Sequence, residues 1–335
     1  MSESRSLVSN ESRKWLEELY KDTNFSPVTK HNRLLYLQRL NLLPDTYEEI
    51  LLFPHEVITG NTPESRVAML FHVISFLKQL PSSDINSKLL VKYYELVTQD
   101  KALIREERED NKSKVHERQL PLEFLQNKLT EWVPNFDYYM SMALSKSKVE
   151  RASLYDRYQM LTMLSYYVDT PAVRNDYNNL IIVDKESDTN DTDNFVVVTP
   201  RKIFVILNKY KTSKVYGKVR INLRPRSIEL TRNLLRFRKA LNLKYVDGNT
   251  VDYLFNTVIS RGLKMFRSYN VASQKITLLA TEIFGQKQTI NNFRHSWETS
   301  IQHDPSYADM TIRERKKTHQ ELLHNMNTAL LYNRV

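Results

Sequence analysis

Apolar positions recur at three- and four-residue spacings through most of the chain, which predicts helices. In the first hundred residues the pattern covers 12–20, 27–40 and 64–80, with stripes such as Leu34, Leu37 and Leu40 or Val67, Leu70, Phe71, Ile74 and Leu77. Together these predict a compact helical domain over 1–104. Residues 105–119 (REEREDNKSKVHERQ) are almost wholly charged or polar. They read as an exposed helix end or a linker, and the domain boundary is placed there. From residue 120 helical spacing returns over 122–132 and 153–168, the second with Leu154, Tyr158, Leu161, Leu164 and Val168 on one stripe that stops at Asp169, Thr170 and Pro171. The period then changes. Segments 180–183, 195–199, 203–207 and 219–223 are rich in β-branched residues and predict a small antiparallel sheet. Beyond it, helices are expected at 228–241, 251–260, 271–284, 291–301, 312–323 and 328–332. The expected fold class is mainly α with a small antiparallel β-sheet, in two domains, 1–104 and 120–335.

The chain has 335 residues, 41% of them hydrophobic, enough for two cores. It contains no cysteine, which excludes disulfides, thiolate nucleophiles and cysteine metal sites and suits a reducing compartment. No run of about 18 apolar residues occurs and the start lacks an apolar signal segment, so a soluble intracellular protein without membrane contact is expected. Five scattered glycines, Gly60, Gly217, Gly248, Gly262 and Gly285, cannot form a phosphate loop, so no nucleotide cofactor is expected.

Net charge is +10, and its placement matters more than its size. Residues 1–118 carry 17 basic and 18 acidic side chains, residues 119–335 carry 32 and 21, and 201–250 alone hold 14 and 2. That density suits a phosphate backbone, since each neutralised phosphate releases a counterion. The plainer alternative is a basic face that serves only solubility. Two metal readings fail. The acidic run 184–194 (DKESDTNDTDN) lacks the glycine and glutamate of a calcium loop and is read as a solvated hairpin loop. His319 and His324 are five apart, which puts them about 140° apart on a helix.

Three segments carry the candidate chemistry: TPAVRNDY at 170–177, FRHSW at 293–297, and His324 followed eight residues later by Tyr332. In this order, with a lysine-rich segment between two strands (NKYKTSKVYGK, 208–218), they resemble the catalytic domain of tyrosine recombinases, or integrases, over about residues 120–335. The 154–180 stretch in particular is similar to recombinases of large DNA viruses and mobile elements. The resemblance implies a two-domain C-shaped clamp on double-stranded DNA, in which the helical N-terminal domain closes opposite the catalytic domain. It also implies self-assembly as a dimer or tetramer on DNA, and a host nucleus or viral replication site.

The implied roles follow from phosphoryl-transfer chemistry. Arg174 and Arg294 would clamp the phosphoryl oxygens with bidentate hydrogen bonds, with Asp176 able to hold Arg174 in position; the alternative for Arg174 is a structural salt bridge to Asp169 or Asp176. Lys211 would protonate the leaving 5′-oxygen, with Lys214 as the alternative; either could instead contact phosphate only, since an ordinary lysine, near about 10.4, is a poor acid at pH 7. His324 would donate a hydrogen bond to the phosphate, and His295 is read as structural. Asn291 stands where many members have histidine or lysine, and an amide cannot take a proton from the nucleophile. Tyr332 would attack phosphorus and keep the bond energy in a phosphotyrosyl ester, so neither metal nor ATP is required. Lys209, Lys214, Lys218, Arg220, Arg224 and Arg226 are the expected DNA-backbone contacts. The neighbouring possibilities are a type IB topoisomerase, which shares this chemistry, and a DNA-binding accessory protein on the same scaffold.

Overall fold

The computed structural model of the chain describes residues 10–110 and 119–323, apart from 247, 249, 260, 261, 267 and 268. Two compact units divide between Ser113 and Lys114, inside the polar run.

The first unit is helical: α1 (Asn10–Leu19), α2 (Pro27–Arg39), α3 (Tyr47–Leu51), α4 (Pro54–Val57), α5 (Pro63–Leu77) and α6 (Asp84–Asp110). Local signals set the starts. Ser26 caps α2 ahead of Pro27, and Thr62 and Ser65 form a capping box around Pro63. The core gathers Leu16, Tyr20, Leu37, Leu70, Val73, Phe76, Tyr93 and Val97. Helix α6 takes in 105–110, so the first part of the charged run is a helix end.

The second unit is built around α8 (Lys148–Asp169), whose residues from Tyr158 to Asp169 are all buried. Helices α7 (Leu122–Ser141), α10 (Pro225–Ala240), α11 (Tyr269–Phe284) and α12 (Ile290–Gln302) pack on it, and α13 (Pro305–Asp309) and α14 (Ile312–Glu321) follow. Helix α7 continues past the expected end at 132 and through Pro134, because Phe136 and Met140 bury in the core beyond it. That burial offsets the one backbone hydrogen bond a proline removes.

A four-stranded sheet lies against this core in the order β1 (Leu180–Val183), β2 (Asn194–Val198), β3 (Ile203–Leu207), β4 (Val219–Asn222). It corrects the expected antiparallel sheet. β2–β3 and β3–β4 are antiparallel, but β1 runs parallel to β2, Leu180 facing Asn194 and Val183 facing Val197, so the sheet is mixed. The acidic run 184–193 is therefore a crossover that returns the chain along the sheet rather than a hairpin loop. A turn in which Asn190 Oδ1 accepts from the Thr192 and Asp193 backbone N–H groups, both at 2.8 Å, helps shape it.

The other edge of β1 explains a second correction. Of the helix expected at 251–260, the described residues 251–259 are not helical: the Ile182 N–H donates to the Asp252 carbonyl and the Leu254 N–H to the Leu180 carbonyl, both at 2.8 Å. The segment then enters a small hairpin of β5 (Thr257–Ile259) and β6 (Gly262–Lys264). An open sheet edge and the β-branched Val251, Thr257, Val258 and Ile259 outweigh the weak helical spacing.

Candidate functional site

Helix α8 ends where Thr170 precedes Pro171, and the loop that follows carries Arg174. Burial pushes the phenols of Tyr167 and Tyr177 up, so both stay protonated. The Tyr167 hydroxyl donates to the Arg174 carbonyl at 3.0 Å, and Tyr177 lies 3.2 Å from the Thr170 hydroxyl. The loop is thus held by Tyr167 of the helix it leaves and, at its far end, by Tyr177 against Thr170. Arg174 itself is half-buried, and among the described residues its guanidinium makes no hydrogen bond or close ion pair.

Arg294 reaches the same loop from α12. Its side chain is 2% exposed and donates to the Ala172 carbonyl at 2.9 Å. Asp176 lies in the field of both arginines. Burial pushes its carboxyl up to about 6, against the lowering pull of Arg294 first and Arg174 second. Two segments 120 residues apart in sequence therefore meet around one acid. The alternative pairing of Arg174 with Asp169 does not occur, because Asp169 is taken by Arg226 at the start of α10.

Arg226, expected as a DNA-backbone contact, is engaged by that ion pair. Its Nε donates to Asp169 at 2.8 Å, Nη2 donates to the other Asp169 oxygen, and Nη1 donates to the Gln126 carbonyl at 2.8 Å and to the Thr130 hydroxyl. All three nitrogens join α7, α8 and α10. The other basic positions, Lys209, Lys211, Lys214, Lys218, Arg220 and Arg224, are exposed. Arg220 also pairs with Glu186 at 2.8 Å and lies 3.7 Å over the Phe204 ring.

The lysine segment links β3 to β4 through a single helical turn, α9 (Ser213–Tyr216). Gly217 closes it with φ of 66°, and the Tyr210 hydroxyl donates to the Gly217 carbonyl at 2.7 Å. The root of this turn is tied to the arginine loop by one side chain that sequence patterning missed. Asn194 Nδ2 donates to the carbonyls of Lys209 at 2.9 Å and Asp176 at 3.3 Å, while its Oδ1 accepts from the N–H groups of Asn208 and Lys209 at 2.9 and 2.8 Å.

Helix α12 starts at Thr289, whose side chain accepts from the Asn292 N–H at 3.3 Å. Asn291 is exposed in the first turn, with Nδ2 3.2 Å from Nε2 of the buried His295. Ser296 donates to the Leu120 carbonyl at 2.6 Å, and Trp297 Nε1 donates to the Tyr167 carbonyl at 3.0 Å. The FRHSW segment thus anchors the helix as well as supplying Arg294. Downstream, Leu322 and Leu323 are buried, Leu323 takes φ of 55°, and its carbonyl accepts from the Thr212 hydroxyl at 3.3 Å. This contact brings the residue before His324 to the residue after Lys211. His324, Tyr332 and the expected helix 328–332 lie outside the described residues.

His319 is fully buried. Its Nδ1 lies 2.8 Å from Glu298 Oε1, and its Nε2 2.7 Å from the Tyr307 hydroxyl. Nothing in the local pattern of either helix announces this cluster. Among the described residues no group of histidine, aspartate and glutamate could hold a metal ion, and no helix is long and apolar enough to cross a membrane. Comparison of the chain with models of protein families, with curated proteins and with solved structures finds no match in any of the three.

Proposed function

We propose that this chain cleaves and rejoins double-stranded DNA as a tyrosine recombinase does, through a 3′-phosphotyrosyl intermediate on Tyr332. The observation that carries the proposal is the meeting of Arg174 and Arg294 around Asp176, with a guanidinium on Arg174 to which no group among the described residues is hydrogen-bonded. Two planar cations close together suit the charge that develops on phosphoryl oxygens during in-line displacement. The exposed lysines beside them suit a DNA backbone.

In this mechanism the Tyr332 phenol gives its proton to water as its oxygen attacks phosphorus, the bond to the 5′-oxygen breaks, and that oxygen takes a proton from Lys211. Reversal of the same steps rejoins the strand, with no metal and no ATP. His324 donates a hydrogen bond to the phosphate. Asn291, on the face of α12 that also carries Arg294, supplies a hydrogen bond in place of an acid–base group. Arrangement of the two units as a C-shaped clamp and self-assembly on DNA belong to the same proposal. The exposed Asn291 amide favours one rival, a DNA-binding accessory protein with weak or no cleavage.

The test is incubation with a pool of nicked duplexes of randomised sequence, followed by denaturing electrophoresis and peptide mapping. The expected result is a covalent adduct on Tyr332 that Tyr332→Phe abolishes while DNA binding persists. Binding without any adduct would favour the accessory protein. With supercoiled plasmid as the substrate, relaxed circles without recombinants would indicate a topoisomerase-like enzyme.

A further inference from the structure

Helix α14 is polar along its length, and His319 is its one buried residue; Ile312, its apolar member near the start, is 66% exposed. An apolar stripe therefore does not set how this helix seats on α12. Directional hydrogen bonds do. Glu298, one turn after Arg294 on α12, is fully buried, and its Oε1 receives His319 Nδ1 at 2.8 Å and Gln302 Nε2 at 2.6 Å. On the far side of the imidazole stands the Tyr307 hydroxyl, and the backbone around Tyr307 is fixed by Arg315, which donates to the Tyr307 and Ala308 carbonyls at 3.1 and 2.7 Å. One turn after His319 comes Leu323, whose carbonyl holds Thr212 beside Lys211.

We propose that Glu298 and His319 are positioning residues for the strand-cleavage reaction: they form a buried joint that sets the register of α14 on α12 and, through Leu323 and Thr212, holds the lysine turn in line with Arg294. The proposal rests on the recombinase reading. Carboxylate and imidazole desolvated together are costly compared with apolar packing, and setting a register is the best-attested use of such a pair. Each step of the connection is one helical turn or one hydrogen bond: Arg294 to Glu298, Glu298 to His319, His319 to Leu323, Leu323 to Thr212. A shift of about 1 Å along this path is enough to misplace a proton donor.

A substrate in which sulfur replaces the bridging 5′-oxygen separates positioning from simple support of the fold, because a thiolate leaves without needing a proton. On the ordinary substrate His319→Gln and Glu298→Gln should slow adduct formation on the order of 100-fold. On the sulfur substrate both should approach the wild-type rate, as Lys211→Ala should. Thr212→Val, which removes only the hydroxyl at the end of the path, covers the case in which the buried variants fail to fold, and should show the same selective loss with unchanged thermal stability. Equal losses on the two substrates, or a Thr212→Val enzyme that cleaves both normally, would overturn the positioning role while leaving the recombinase reading intact. A wild-type protein that forms no adduct with either substrate would remove both.

Discussion

Replacing Asp176 by asparagine should stabilise the second unit at pH 8 and leave it nearly unchanged at pH 4. Burial holds this carboxyl up at about 6, from an ordinary value of 3.8, despite the two arginines beside it. The folded protein therefore binds this proton more tightly than the unfolded chain. That contribution to stability is fully present below the ordinary value and is lost as pH rises through about 6. A shift of about two units at about 1.4 kcal/mol each sets a ceiling of about 3 kcal/mol. For a unit of this size that corresponds to roughly 6–12 °C in Tm. Asparagine has nearly the same shape, keeps an oxygen for the Arg174 backbone N–H that Asp176 accepts, and carries no charge to desolvate. Calorimetry of wild type and variant from pH 4 to 8 should show a Tm difference that opens as pH passes 6. A difference independent of pH, or a variant less stable at pH 8, would refute the account of Asp176 as a buried acid strained by desolvation.

Arg226→Ala should cost about 3–5 kcal/mol of stability, because it leaves Asp169 buried without its partner. Arg224→Ala should leave stability alone and flatten the salt dependence of DNA affinity by about one unit of slope per lost phosphate contact, read by titration at several salt concentrations. Asn291→Ala should lose about tenfold to a thousandfold in cleavage rate, on the order of one hydrogen bond to the transition state, and Asn291→His should be tolerated; complete inactivation with binding intact would give the amide a larger role. Cleavage should persist in excess EDTA, and loss of activity restored by magnesium would point to a metal nuclease.

Where a segment's own pattern decides its structure, the sequence could be read closely. Strands 180–183 and 203–207 match β1 and β3, and the helices at 27–40 and 271–284 lie within two residues of α2 and α11. The failures have a common cause in partners distant along the chain. Residues 251–259 leave the helical pattern because β1 offers an unpaired edge, and the direction of β1 against β2 depends on how a ten-residue crossover folds back. Neither is encoded in local periodicity. The candidate site divides in the same way. Arg174, Arg294 and the lysine segment could be found from residue type and order. Asn194, which joins two of them through its amide, and the contacts among Glu298, His319 and Tyr307 depend on three-dimensional proximity alone. The pairing of Arg226 with Asp169 could not be read from sequence, because an arginine that serves a buried carboxylate is indistinguishable there from one that faces a phosphate.

The bond from Arg294 to the Ala172 carbonyl spans 122 residues, and it bears on how the protein is made. A ribosome adding about 5–20 residues per second reaches Arg294 roughly 6–24 s after Ala172. Over that interval the newly made arginine loop has neither its buried donor nor the helix that supplies it. The lysine turn can form early, since its strands are neighbours in sequence, so a nascent chain can hold DNA-attracting charge well before its two arginines are assembled. A truncated product ending before α12 would keep the basic surface and lack the paired guanidiniums, and under the proposed function it would compete with the full-length protein for nucleic acid as a passive occupant.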